Sequence, residues 1–413
     1  MVQSLRGQFT PETVIPAAFV ARTPPQPRQL SASLTPYLLD YDQEALLKTD
    51  LDLLTEGDQL ARELRVQIVN GVAGSGKTLV LLYRLRLLQA RFPNKSYLVL
   101  THNRPLIREM ATRYQALSGD SAESIDWYTF MGWCRRNWPR AQPFNPLSLS
   151  RRERLISTVW YDTLRDTAIT EGMFTSELDW LKDNNIHTRE AYLEADRRGR
   201  GFRLIEGQRE RMFVALRTYQ QRLATQNSMD WADVPRRYWH WLETGEVHPP
   251  QYDVILVDEA QFFAPLWFDI VRQLVAPEVG YLFMAADPTQ GFLRRGESWK
   301  AITGLDARGR AVHLRRSYRT TRAILTCALA FYRQRLPEDE PDLLLPELAG
   351  MQKGKPPQIV CFTAPQDERA RIVSEIAQAV GAGLSRRHIL VLHASATGAE
   401  ALITALNQRL EEG

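Results

Sequence analysis

The chain is short of cysteine, of histidine and of long apolar runs. Cys134, Cys327 and Cys361 are the three cysteines in 413 residues, and no two stand at C-x-x-C spacing. That spacing excludes a disulfide framework and a zinc ribbon, and it fits a reducing compartment. The seven histidines are scattered, with no pair at the helical spacing of metal ligands. No apolar run approaches the roughly 18 residues of a membrane span. The apolar stretch VIPAAFVA near the N-terminus is short, is broken by Pro16 and has no convincing cleavage site. No secretory signal is expected, and a cytoplasmic chain is. An excess of one charge is lacking too: 52 Lys and Arg against 48 Asp and Glu leave a net charge of +4. Bulk charge therefore does not identify a nucleic-acid partner, and local clusters must carry that argument.

What is present is an ordinary globular composition, 44% hydrophobic and 24% charged, with length for two or three domains. Residues 1–36, around TPPQPRQLSASLTP, read as a flexible Pro-rich arm. A helical pattern covers 40–63. Apolar runs at 66–69, 97–100, 253–257 and 281–285 have the character of buried parallel strands. Between them, residues 134–250 are rich in Arg, Trp and helix formers and read as a helical insertion. A second alternating set follows, with strand-like AVHL at 311–314, QIVCF at 358–362 and HILVLH at 388–393. Helical stretches at 320–335, 366–380 and 397–410 separate them, as in a second α/β unit.

The stretch GVAGSGKT at 71–78 follows the apolar run VQIVN and precedes the Leu-rich LVLLYRLRLL. A strand, a small-residue loop and a helix in that order make an anion cradle. Gly71, Gly74 and Gly76 let the backbone N–H groups of Val72, Ala73 and Ser75 turn inward at a helix N-terminus, where the dipole favours negative charge. Lys77 adds charge for β- and γ-phosphates, and Thr78 a hydroxyl for Mg²⁺. The spacing G-x-x-x-x-G-K-T is the P-loop signature in its confirming context.

DVILVDEAQ at 253–261 is an apolar strand ending in Asp258 and Glu259. Ligands of open α/β sheets bind at the carboxyl ends of strands. There, one carboxylate can hold Mg²⁺ and its neighbour can orient the attacking water. LFMAADPTQ at 282–290 ends similarly: Asp287 and Gln290 could report on a γ-phosphate, or D-P-T could simply be a turn. VHLRRSYR at 312–319 carries Arg315, Arg316 and Arg319 at a strand–helix junction, where one could act as an arginine finger or serve only as a surface or phosphate-backbone cation. Three clusters mix aromatics with cations, as grooves for single strands do: WCRRNWPR at 133–140, RRGRGFR at 197–203 and RRYWHW at 236–241. For each the alternative is structural, an aromatic core anchor beside solvated or ion-paired Arg, and chemistry alone favours it for the second and third clusters.

Taken in order, these residues resemble superfamily 1 helicases of the UvrD/Rep type, over roughly 36–410. The resemblance implies a P-loop NTPase (RecA-like) parallel sheet with a helical insertion, followed by a second, incomplete RecA-like α/β domain. The first ATPase domain would comprise 37–133 and 251–306, the insertion 134–250 and the partial second domain 307–413. It also implies roles. Gln43 in YDQEALL matches the adenine-reading glutamine, and 71–78 the phosphate loop. Asp258 and Thr78 would hold Mg²⁺, Glu259 the water, and Gln261 would couple the motifs. Lys77, Glu259, Gln290 and Arg319 form the catalytic set, with Arg319 chosen over Arg315 and Arg316 as the γ-phosphate arginine. Thr101 and Asn103 in LVLTHNRP match a DNA-backbone motif, and Thr129 and Phe130 in YTFMGW match the family's T-F segment, where Met131 replaces a histidine. Trp133, Arg135 and Phe292 complete the nucleic-acid candidates, with Trp299 a second aromatic beside Phe292. MDWADV at 229–234 resembles a further family segment, and Ala286 replaces the glycine of G-D-x-x-Q.

The family continues past the last helix here into an inserted domain and two further motifs, so the expectation is a truncated second motor domain. The implied activity is ATP hydrolysis driving 3′-to-5′ movement on single-stranded or partly duplex DNA, with RNA still open as the track. Two alternatives stand beside it. One is an ATP-gated nucleic-acid-binding or regulatory switch with little turnover. The other is a nucleotide switch acting on an unidentified protein partner without nucleic acid.

Overall fold

The apolar runs fold as strands because each can be buried on both faces between helices. In a computed structural model, the described residues are 39–48, 65–118, 125–197, 200–277, 280–288, 290, 299–304, 310–334, 344–393 and 396–411. The Pro-rich arm and Phe292 lie outside them. In chain order the elements are α1 (Tyr41–Lys48), β1 (Arg65–Gly71), α2 (Lys77–Arg91), β2 (Tyr97–Thr101), α3 (Arg104–Ser118), β3 (Ile125–Thr129) and α4 (Phe130–Arg136). The insertion contributes α5 (Leu149–Thr163), α6 (Glu171–Asp183), α7 (Arg189–Glu194), α8 (Glu206–Thr225) and α9 (Asp233–Glu243). Then come β4 (Val254–Val257), α10 (Pro265–Leu274), β5 (Tyr281–Ala286), α11 (Trp299–Thr303), β6 (Ala311–Leu314), α12 (Arg322–Arg333), α13 (Pro365–Gly381) and α14 (Ala396–Glu411).

The six strands form one parallel sheet in the order β3-β2-β4-β5-β1-β6. This is the α/β architecture of a RecA-like P-loop domain. Its two faces carry separate cores. One packs Leu81, Leu85, Leu88, Met110 and Tyr114 from α2 and α3 against Val69, Val99 and Phe283. The other packs Trp133, Tyr238, Phe268 and Ile270 from α4, α9 and α10 against Ile68, Leu100, Ile255 and Met284. Arg84 is fully buried on α2 and ties α1 to β5, donating to the Leu47 carbonyl and to the Tyr281 hydroxyl at 3.0 Å.

The helical insertion has its own core, running from Leu147 to Leu223 and centred on Val159, Phe174, Met212 and Tyr219. That core is narrower than 134–250, because Trp138, Met229, Val234, Tyr238 and Trp241 join the sheet instead. AVHL does not open a second sheet as expected. It pairs with β1 as the sheet's sixth strand, register Ile68 to Ala311 through Gly71 to Leu314. The compact first unit accordingly reaches Gly354, well past 306. The second unit, Lys355–Gly413, contains α13 packed on α14. Within it QIVCF and HILVLH form no strand, and Ile359, Leu390 and Leu392 are 82–85% exposed. Among the described residues, no helix is long and apolar enough to cross a membrane.

Candidate functional site

Because every strand is parallel, the loops that follow β1, β2, β4 and β5 emerge at one end of the sheet. Val72, the first loop residue after β1, donates its N–H to Leu314 of β6 at 3.0 Å. Gly74 and Gly76 have φ of 75° and 83°, where a side chain is strained. A Cβ on Gly74 would lie 2.6 Å from the Arg319 Cβ, and one on Gly76 would lie 2.5 Å from Gln43 Nε2. The loop is bare because other motifs close on it from two sides.

Lys77, 8% exposed, donates to the carbonyls of Gly71 at 2.8 Å and Val72 at 3.1 Å. Its Nζ also lies 3.6 Å from the fully buried Asp287 carboxylate. Thr78 Oγ1 donates to Asp258 Oδ2 at 2.8 Å, joining residues 180 positions apart. Gln261 links the ends of β4 and β5: its Oε1 accepts from the Asp287 N–H at 2.9 Å and its Nε2 donates to the Glu259 carboxylate. Gln290 Nε2 donates to Asp287 Oδ2 at 2.7 Å. One connected network therefore runs from the P-loop lysine to Asp287, Gln261, Glu259 and Gln290. Glu259 sits in the left-handed region at φ 54°, which costs a non-glycine residue about 1–2 kcal/mol.

The arrangement leaves buried polar atoms unspent. Asp258 is fully buried, and its Oδ1 has no hydrogen-bond partner. Burial, with the Glu259 charge adding, pushes its carboxyl up to about 7 against the opposing Thr78 hydroxyl and Lys77 charge. The hydroxyls of Ser75 and Ser317 are likewise buried without partners beside the loop. A Thr hydroxyl, a carboxylate and open oxygen positions form the hard donor set that suits Mg²⁺. The loop N–H groups and Lys77 suit a polyphosphate.

The other flank of the loop is built by SYR. Tyr318 donates its backbone N–H to Gly74 O at 2.9 Å, and its hydroxyl donates to Asp40. Arg316 is committed to a bidentate pair with Glu347 at 2.9–3.0 Å. Arg319 is exposed and makes no ion pair among the described residues. Gln43 is 3% exposed, and both ends of its carboxamide are in use: Oε1 accepts from Asp40 N at 3.0 Å and Nε2 donates to Ser75 O at 2.8 Å. In this state it clamps the loop. Sequence reasoning passed over Asp40, whose carboxylate accepts from Gln43 N at 2.7 Å. The D-x-x-Q spacing of a capping box was the available signal.

The nucleic-acid candidates divide. Trp133 and Phe130 are fully buried, Trp133 edge-on to Tyr238 at 5.4 Å and Phe130 stacked on Trp267 at 4.5 Å. Neither has a face open to a base, which for Trp133 corrects the expectation of stacking: large aromatics at helical spacing sought the core. Thr101 is fully buried, and Thr129 caps α4 by accepting from Gly132 N at 3.1 Å, so neither meets a DNA backbone in this conformation. Asn103 and Arg135 are exposed, Arg135 with its guanidinium 5.5 Å from the Phe144 ring. Trp299 is tied to the sheet by its Nε1, 3.1 Å from Asn70 Oδ1. In the RRGRGFR cluster Arg197 and Arg200 are both bound to buried Glu177.

A family model supplies the deciding match: the UvrD/REP helicase N-terminal domain aligns with residues 59–294, more than half of the chain. The chain belongs to that family. The match spans the P-loop, DEAQ and Gln290 of this UvrD/REP-type domain, whereas Gln43 and Arg319 fall outside it. No curated protein matches the chain. Membership brings a helicase- or translocase-type function in general terms, with a nucleotide site of the kind this family uses with ATP and Mg²⁺.

Proposed function

We propose that the chain is an ATP hydrolase that couples turnover to movement on single-stranded DNA, in the 3′-to-5′ direction. The observation that carries this reading is the network joining Lys77, Asp287, Gln261 and Glu259, with Thr78 on Asp258 beside it. Phosphoryl transfer needs positioning and positive charge more than covalent help, and these groups supply both. Lys77 exchanges the Gly71 and Val72 carbonyls for phosphate oxygens. Thr78 and Asp258 would hold Mg²⁺, which when bound neutralises charge on the β- and γ-phosphates. Glu259 orients the attacking water and takes its proton. Gln290 and Gln261 report the state of Asp287 to the end of β4. Arg319, brought to the loop by the Tyr318–Gly74 bond, stabilises the charge on the γ-phosphate. Gln43 reads adenine by giving up its bond to Ser75. Exposed Asn103 and Arg135 are the remaining contacts of this set for the strand.

The experiment is ATP turnover by the chain with and without single-stranded DNA, beside Glu259→Gln. Stimulation by DNA, lost in the variant, supports the motor. Binding of ATP with turnover no higher than the variant's would overturn it in favour of an ATP-gated binding module.

A further inference from the structure

The RRYWHW stretch takes no part in the nucleotide site. On α9 its residues separate. Tyr238 is fully buried in the sheet's core, while Arg236, Arg237, Trp239 and His240 line a cavity of about 520 Å³. His187, from the α6–α7 connection, and Gln220 of α8 line it as well. A second cavity of about 270 Å³, lined by Leu178, Leu181 and Phe213, shares Arg236 as a wall. The larger volume falls within the roughly 300–1,000 Å³ of ligand pockets.

The lining sets two arginines against two carboxylates, but one of those carboxylates is taken up by other partners. Its carboxylates are Asp233 and Glu243. Asp233 is already engaged, with Lys182 Nζ at 2.9 Å, Gln220 Nε2 at 3.1 Å and the Asp230 N–H at 3.0 Å. Arg236 is left 3.7 Å from it, makes no hydrogen bond among the described residues, and has a buried Nε without a partner. Burial pushes its guanidinium down from the usual range, with Asp233 opposing. Arg237 and His240 are exposed beside it, and Trp239 is half-buried. Paired guanidiniums recognise phosphate oxygens, and an indole face accepts a base by stacking.

We propose that this cavity in the helical insertion binds one nucleotide unit, its phosphate at Arg236 and Arg237 and its base on Trp239. The unit comes either from a free nucleotide or from a residue of a single strand, and the chemistry at the cavity is the same. The site shares no residue with the P-loop network, so it stands apart from the ATP reading.

Hydrogen–deuterium exchange of the full chain tests it, in peptides covering 183–188 and 233–243, titrated with AMP and with a short 5′-phosphorylated oligothymidylate. Slowed exchange in both peptides is expected. Arg237→Gln and Trp239→Leu should each raise the midpoint about tenfold, while leaving protection of 71–78 by ATP unchanged. Arg237 is exposed, so its variant keeps the fold even if Arg236→Gln does not. Protection by AMP identifies a free-nucleotide site, and protection by the oligonucleotide alone identifies a strand site. No protection by either probe, or an unchanged midpoint in both variants, overturns the proposal.

Discussion

Lys77 is held by two loop carbonyls and faces Asp287, so its charge is already inside the site before any phosphate arrives. Lys77→Ala removes that charge and should lower ATP turnover at least ~100-fold, the cost of losing one preorganised electrostatic group. Phosphate release under saturating ATP measures it, and unchanged turnover would refute the site assignment. Glu259 allows chemistry and strain to be separated, since it occupies left-handed φ with a side chain. Glu259→Gln keeps the strain and Glu259→Gly relieves it. Both remove the charge beside Asp258 and should abolish turnover, but the glycine variant should be the more stable of the two by about 0.5–1 kcal/mol once glycine's chain entropy is set against the strain. Thermal melts of the two variants decide it. At this scale the sequence was most legible where a residue's role is local. GSGKT and DEAQ announce themselves because backbone geometry and strand ends fix their chemistry. Trp133 and Phe130 did not, because an aromatic beside arginines looks the same in sequence whether it faces solvent or the sheet.

Between elements, the helical insertion is held by buried charges as well as by its apolar core. Glu177 of α6 is fully buried and accepts from Tyr192 at 2.8 Å, from Arg197 at 2.6 and 2.9 Å, and from Arg200. Glu177→Ala would strand two arginines, and should destabilise the insertion by about 3–5 kcal/mol in urea melts followed through its tryptophans. Asp230 makes a second node, meeting Arg152 at 2.9 Å and Lys182 at 3.3 Å. Burial raises its carboxyl, but the charges and hydrogen bonds of Lys182 and Arg152 outweigh burial and hold it below the usual range. A depressed folded value means stability present above the unfolded carboxylate range and lost as pH falls through the folded one. The melting advantage of the wild type over Asp230→Asn should therefore be full at neutral pH and shrink in acid below the usual carboxylate range. An advantage that grows in acid would contradict it. Element identity was legible here from helix formers and the lack of strand runs. The membership of α9 in the sheet's core was not, since which helix covers which face is settled by packing across the chain. AVHL shows the same limit: its pattern gave a strand, but only pairing with β1 decides which sheet receives it.

Across the whole molecule, burial is uneven. The first unit has two cores on its sheet and a third in the insertion. In the second unit α13 has no buried residue, and among described residues Leu402 of α14 is its one buried hydrophobic side chain. QIVCF and HILVLH carry the strand pattern, but a strand exists only with a neighbour to accept its hydrogen bonds, and within this unit they have none. Opening free energy follows buried apolar contact, so a helix pair without a core should open at little cost. Amides of α13 and α14 should exchange at least ~100-fold faster than those of β1, β4 and β5, which corresponds to about 2.7 kcal/mol less protection. Exchange measured on the isolated chain reads this directly. Protection of α13 and α14 equal to that of the central strands would mean that the second unit gains its stability from packing beyond its own helix pair.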